Sequence, residues 1–98
     1  MIKTFRHKGL KAFFETGSRK GIQPAHAVRL QLQLTALNSA ASEADMNVPA
    51  WRLHLISGRN PKGQEVQAHW SVSVSGHWRL TFCIDSGHAY FVDYIDYH

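Results

Sequence analysis

Cysteine is almost missing from this 98-residue chain, where Cys83 stands alone. A single thiol cannot close an internal disulfide or build a cysteine zinc cluster. Cys83 falls in a strand-like apolar stretch and is read as a small buried hydrophobe. Long apolar runs are missing as well. No stretch approaches the roughly 18 residues of a membrane helix, and residues 1–9, MIKTFRHKG, lack the apolar core of a secretory signal. The cytoplasm is the expected compartment, with no membrane partner. No HxH or HxxxH pair occurs within one element, so no metal or other cofactor is expected. Acidic residues are scarce: seven Asp and Glu stand against eleven Lys and Arg, with seven His in addition.

What is present is basic and apolar. The bases gather at residues 3–11, at Arg19 and Lys20, and at residues 52–62. Such a balance in a small chain favours nucleic acid as partner, because phosphate contacts dominate that affinity. Solvated charge that merely keeps the chain soluble is the competing reading. The length and the eleven aromatic residues fit one folded domain over residues 1–98.

Periodicity gives the outline. Residues 1–5 alternate weakly, as a short strand would. Residues 7–16 are expected to be helical, with Leu10, Phe13 and Phe14 as one stripe and Gly17 as the stop. Pro24 suits the first turn of a second helix, in which Ala27, Leu30, Leu34 and Leu37 recur at helical spacing, with Val28 and Leu32 widening the stripe. Residues 51–56 alternate as a strand, with Trp51, Leu53 and Leu55 on the packed face and Arg52, His54 and Ile56 on the other. Residues 57–67, SGRNPKGQEVQ, are rich in turn formers and are expected to be a loop. Three more strands follow: Trp70, Val72 and Val74 on one apolar face, then Trp78, Leu80, Phe82 and Ile84, then residues 89–96, apolar on both sides. The expected class is α+β, with two N-terminal helices on one face of a small sheet.

If the helices cover the Leu80 face, the other face collects Arg52, His54, Arg79 and Thr81. Asp96 and His98, two residues apart and so on one side of the last strand, are expected to join that face. Histidines and arginines together can cleave a phosphodiester without metal. One group takes the proton of the ribose 2′-OH, another protonates the leaving 5′-oxygen, and a fixed cation holds the developing charge. His7, His26, His69, His77 and His88 are read as ordinary surface histidines, and the three Trp as core. On pattern alone a basic binding module competes with the ribonuclease.

Four stretches carry a resemblance: MIKTFRHKGLKAFFETG, WRLHLISG, WSVSVSGHWRLTF and the ending VDYIDYH. In this order they closely resemble HigB toxins, a branch of the RelE superfamily of type II toxin–antitoxin systems. The resemblance implies a RelE-like fold with a mostly antiparallel, mixed sheet. It implies an mRNA interferase, an endoribonuclease cutting messenger RNA on translating ribosomes and so arresting translation and growth. It also implies a HigA-like helix-turn-helix antitoxin, and operator DNA bound only through the complex with it. The family's catalytic positions fall on His54, Arg79, Asp96, Tyr97 and His98. By that analogy Arg79 stabilises charge, His54 and His98 move protons with their roles undivided, Asp96 orients a histidine and Tyr97 positions substrate. His98 beside its own carboxylate and Asp96 is expected to titrate above an ordinary histidine, and a C-terminal tag is expected to impair activity. Many relatives read HPLKG where this chain reads HLISG, so Ser57 replaces a functional Lys. Either Arg59 or Lys62, grouped with Arg52 as RNA-binding residues, supplies that cation, or activity is weakened and the chain acts by binding antitoxin or nucleic acid.

Overall fold

A computed structural model describes residues 1–59 and 65–97; side chains are described throughout these except at 57–59 and 65–67. Helix α1 spans Lys8–Thr16. His7 begins it with a side chain, its Nδ1 accepting from the Leu10 amide at 2.9 Å. Gly17 ends it in the left-handed conformation (φ 79°), donating to the Phe13 carbonyl at 2.9 Å. A 3₁₀ turn at Pro24–His26 leads into helix α2, Ala27–Ser39.

Helix α2 buries Ala27, Leu30, Leu34 and Leu37 as expected, together with Gln33. Val28 and Leu32 do not widen that stripe, being 70 % and 60 % exposed. At 3.6 residues per turn they fall on the opposite side of the helix. None of the described helices is long and apolar enough to cross a membrane.

Four strands form an antiparallel sheet in chain order: β1 His54–Arg59, β2 Glu65–Ser75, β3 Trp78–Asp85 and β4 His88–Asp96. Ser86 and Gly87, both at positive φ (52° and 78°), make the tight β3–β4 turn. The expected N-terminal strand lies parallel along the free edge of β4, bridging Ile2 to Ala89 and Phe5 to Val92, which makes the assembly mixed and covers that edge. Both helices pack on one face, so the class is α+β as read. Leu10, Phe13, Leu30 and Leu34 meet Val72, Leu80, Phe82 and Val92 in one buried cluster.

Two strand boundaries differ from the sequence reading. Residues Pro49–Trp51 form a 3₁₀ turn and Arg52 takes a left-handed conformation (φ 51°), so β1 starts only at His54. Leu55 pairs with Trp70 on the helix side yet is 52 % exposed, out on the edge strand. The stretch 57–67 is not all loop either, since β1 runs on to Arg59 and β2 starts at Glu65. The β1–β2 register slips on either side of Ser57, and a bulged strand tolerates the turn formers that suggest a loop.

A third difference sits in β4. Cys83 pairs with Tyr90 but Thr81 pairs with Asp93, so Phe91 and Val92 together oppose Phe82. Phe91 is the extra residue, at φ 55°, with its amide donating to Thr4 Oγ1 at 2.8 Å and Arg6 over its ring. A bulge of this kind reverses the side on which every later residue stands. Tyr90 therefore stands on the face away from the helices, while Val92 and Tyr94 enter the core.

Candidate active site

Directly opposed residues on neighbouring strands share a face. One row on the face away from the helices runs His54, Ser71, Thr81, Asp93; the next runs Ser73, Arg79, Ile95. His54 and Arg79 are thus brought to one face, as the alternation implies, separated by β2. Ser71 and Thr81 are buried, small side chains between larger ones.

Four polar atoms on this face are buried without a hydrogen-bond partner among the described residues: Arg79 Nη1, Ser71 Oγ, His69 Nε2 and His88 Nδ1. An unmet buried donor costs about 1–3 kcal/mol, so such atoms call for a ligand or a functional reason. His69 is held below the usual histidine range, first by burial and then by the Arg6 charge. Burial also pushes the Cys83 thiol up, against a smaller opposite effect of Arg6. Arg6 therefore faces the His69–Cys83 part of this surface.

Arg52 does not lie in a strand. Its left-handed backbone costs an L-residue about 1–2 kcal/mol, and its carbonyl lies 3.3 Å from Nδ1 of His54. The same corner thus sets the direction of the Arg52 side chain and orients the His54 ring.

Asp96 stands apart from this arrangement. The register pairs Trp78 with Asp96 and Arg79 with Ile95, placing Asp96 on the helix side of the sheet. Without the bulge at Phe91, the Cys83–Tyr90 pairing would carry Asp96 onto the Arg79 face. The expectation that Asp96 shares a face with Arg79 is therefore corrected by one inserted residue. Beneath Asp96 lies a polar cluster within the core: the Tyr94 hydroxyl is 2.6 Å from Nδ1 of buried His26 and accepts from the Gln23 amide at 3.4 Å. Trp78 stacks on Tyr94 at 4.5 Å. Burial pushes the Tyr94 hydroxyl up; the Gln23 amide opposes this and the Asp96 charge adds to it.

Tyr97 follows the end of β4, its amide donating to the His77 carbonyl at 2.8 Å and its side chain 44 % exposed. That bond ties the chain end to the β2–β3 turn. His98, Lys62 and the Arg59 side chain lie outside the described residues, and with them the expectation about the His98 pKa. No group of three or more metal-binding side chains occurs among the described residues.

Nothing in the sequence singles out Arg29, which lines a cavity with Arg52 and Ser73. It lies on α2 outside the apolar stripe, where periodicity carries no signal. His69 and His26 look like surface residues in the sequence, and only their register and packing mark them.

Comparison with known proteins places this chain in a family. Residues 3–98 match the family described as the RelE-like toxin of the type II toxin–antitoxin system HigB. The chain is 36 % identical to the Endoribonuclease HigB of Proteus vulgaris over 98 residues, the full length of both. With a match across nearly the whole chain and an α+β architecture of the expected kind, this protein belongs to the HigB family of RelE-like toxins.

Proposed function

We propose that this protein is the toxin of a type II toxin–antitoxin pair and acts as an endoribonuclease on messenger RNA, with ribosome-bound message as its substrate. The observation that carries the reading is the Arg79 guanidinium: a cation on the polar face whose Nη1 is buried and has no partner among the described residues. With that nitrogen out of water and open to an acceptor, the group is suited to the charge that grows on the phosphorus oxygens.

The chemistry needs no metal. A base, His54 or His98, removes the 2′-OH proton, and the 2′-oxygen attacks the adjacent phosphorus. The bond to the 5′-oxygen breaks, the other histidine protonates that oxygen, and a 2′,3′-cyclic phosphate and a 5′-OH result. Arg79 holds the anionic phosphorane, Tyr97 positions the nucleotide, and Asp96, from the other side of the sheet, acts on the orientation of the chain end. A HigA-like antitoxin is the partner that restrains the activity, the complex reaches operator DNA through that antitoxin, and the cytoplasm is the place of action.

Primer-extension mapping of transcripts after brief induction tests this. Wild type is expected to give new 5′ ends within open reading frames, and Arg79→Ala to lose them while still folding and binding its antitoxin. Growth inhibition without cleaved transcripts would favour a toxin-fold binding module instead.

A further inference from the structure

The pairing of β1 with β2 begins at His54–Ser71, so residues 73–75 of β2 have no strand on that side. The free edge is finished differently. Gln33, fully buried on α2, donates its Nε2 to the Ser73 carbonyl at 2.8 Å. Above this contact a cavity of about 440 Å³ opens between the start of α2, the corner at residues 50–52 and the β2–β3 turn. Its two charged lining residues are Arg29, half-buried, and Arg52, exposed; no acidic side chain lines it among the described residues.

Its position relates it to the proposed chemistry. Ser73 lines the cavity and is the register partner of Arg79. Arg52 also lines it, and its carbonyl meets the His54 ring. The backbone at Arg52 is strained into the left-handed region, a feature that concentrates at functional positions. Two arginines lining one cavity from separate elements, with no carboxylate among its described lining residues, suit a phosphate diester.

We infer that the Arg29–Arg52 cavity is a second phosphate site, holding a non-scissile phosphate of the substrate RNA strand one step from the bond that Arg79 serves. This rests on the ribonuclease reading for its substrate and adds Arg29 as a binding residue. The site fixes the register of the strand across the polar face, since phosphate contacts position a nucleic acid without reading its sequence.

Binding of a fluorescent single-stranded RNA oligonucleotide, followed by anisotropy over a series of KCl concentrations, tests it. All variants carry Arg79→Ala, so that nothing is cut. Arg29→Gln and Arg52→Gln are each expected to weaken binding several-fold and to reduce the slope of log K against log salt by about 0.7, one single-strand phosphate contact. Arg29→Lys is expected to keep the slope. Lys20→Gln, an equal loss of charge on the exposed loop after α1, is expected to leave it unchanged. Slopes equal to the parent in both Gln variants, or an equal change in Lys20→Gln, would overturn the assignment. Should Arg29→Gln fail to fold by circular dichroism, the slope of Arg52→Gln, at its exposed corner, decides the outcome. Cleavage by the protein with Arg79 intact is scored separately. RNA binding that depends on Arg29 in a chain that cuts no transcript keeps the cavity and removes the nuclease; normal cutting with unchanged slopes does the reverse.

Discussion

The Tyr94 hydroxyl lies 2.6 Å from Nδ1 of His26, inside the core and beneath the strand end that bears Asp96. Tyr94→Phe keeps the ring stacked on Trp78 but leaves the His26 nitrogen buried without its partner. The expected loss is about 1–3 kcal/mol, or a drop in Tm of about 4–8 °C for each kcal/mol in a domain of this size. Tyr94 is also raised above an ordinary tyrosine. A raised pKa favours the protonated form in the folded state. Its contribution is therefore complete below about pH 10, the unfolded value, and is lost as pH rises through the folded value. Urea denaturation between pH 9 and 11 is expected to show a steeper alkaline fall for wild type than for Tyr94→Phe.

His69 gives the opposite pH dependence. Burial, then the Arg6 charge, lowers its pKa, so the folded state prefers the neutral ring. Its contribution is present above about pH 6.5 and is lost as pH falls through the folded value. His69→Gln is expected to flatten the stability profile below pH 6.5, and an NMR titration of wild type is expected to place His69 under that value. A His69 titrating at or above it would contradict the buried environment of its ring.

The bulge at Phe91 decides on which side of the sheet Asp96 stands, and Thr4 holds the bulge by accepting its amide at 2.8 Å. Thr4→Val removes that acceptor. At an exposed site water replaces part of the bond, so the expected cost is about 0.5–1.5 kcal/mol, read by thermal unfolding. Hydrogen exchange at the Phe91 amide is expected to quicken more than at the Leu80 amide, which separates a local loosening from a global loss.

These contacts show where the sequence was legible. The Leu30, Leu34, Leu37 stripe and the Trp78, Leu80, Phe82 alternation were readable because burial against a single face imposes its own period. His54 and Arg79 could be assigned to one face for the same reason. The Phe91 bulge was not readable. It adds one residue with no Gly or Pro to mark it. A period of two puts Tyr90, Tyr94 and Asp96 on one side, whereas the bulge leaves Tyr90 away from the helices and turns Tyr94 and Asp96 to the helix side. Arg52 escaped likewise, because a bulky side chain at φ 51° is set by the corner around it and not by local preference. Arg29 carried no pattern at all, since a base outside a helix's apolar stripe looks like any solvated charge.

The helical stripe itself is open to test. Leu34→Ala deletes a side chain 1 % exposed and is expected to cost about 2–5 kcal/mol, a large share of the roughly 5–15 kcal/mol that holds a domain folded. Leu32→Ala, two residues away on the opposite side, is expected to stay within about 0.5 kcal/mol of wild type. Equal losses in the two would mean that Leu32 is also packed.

The resemblance to HigB toxins implies a cation at the position of Ser57, and Arg59 and Lys62 follow it in the chain. In the proposed reaction, a cation at this place would add to Arg79 in stabilising the anionic phosphorane. If Arg59 or Lys62 supplies it, the double substitution Arg59→Ala, Lys62→Ala is expected to lower the cleavage rate about tenfold or more, which corresponds to about 1.4 kcal/mol of transition-state stabilisation. Ser57→Lys in that background is expected to restore most of the rate, because it returns a charge to the position where the resemblance implies one. In the otherwise wild-type chain the same substitution is expected to change the rate by less than about threefold, under 1 kcal/mol. Unchanged cleavage in the double variant would show that this chain works without a second cation, leaving Arg79 to hold the developing charge alone.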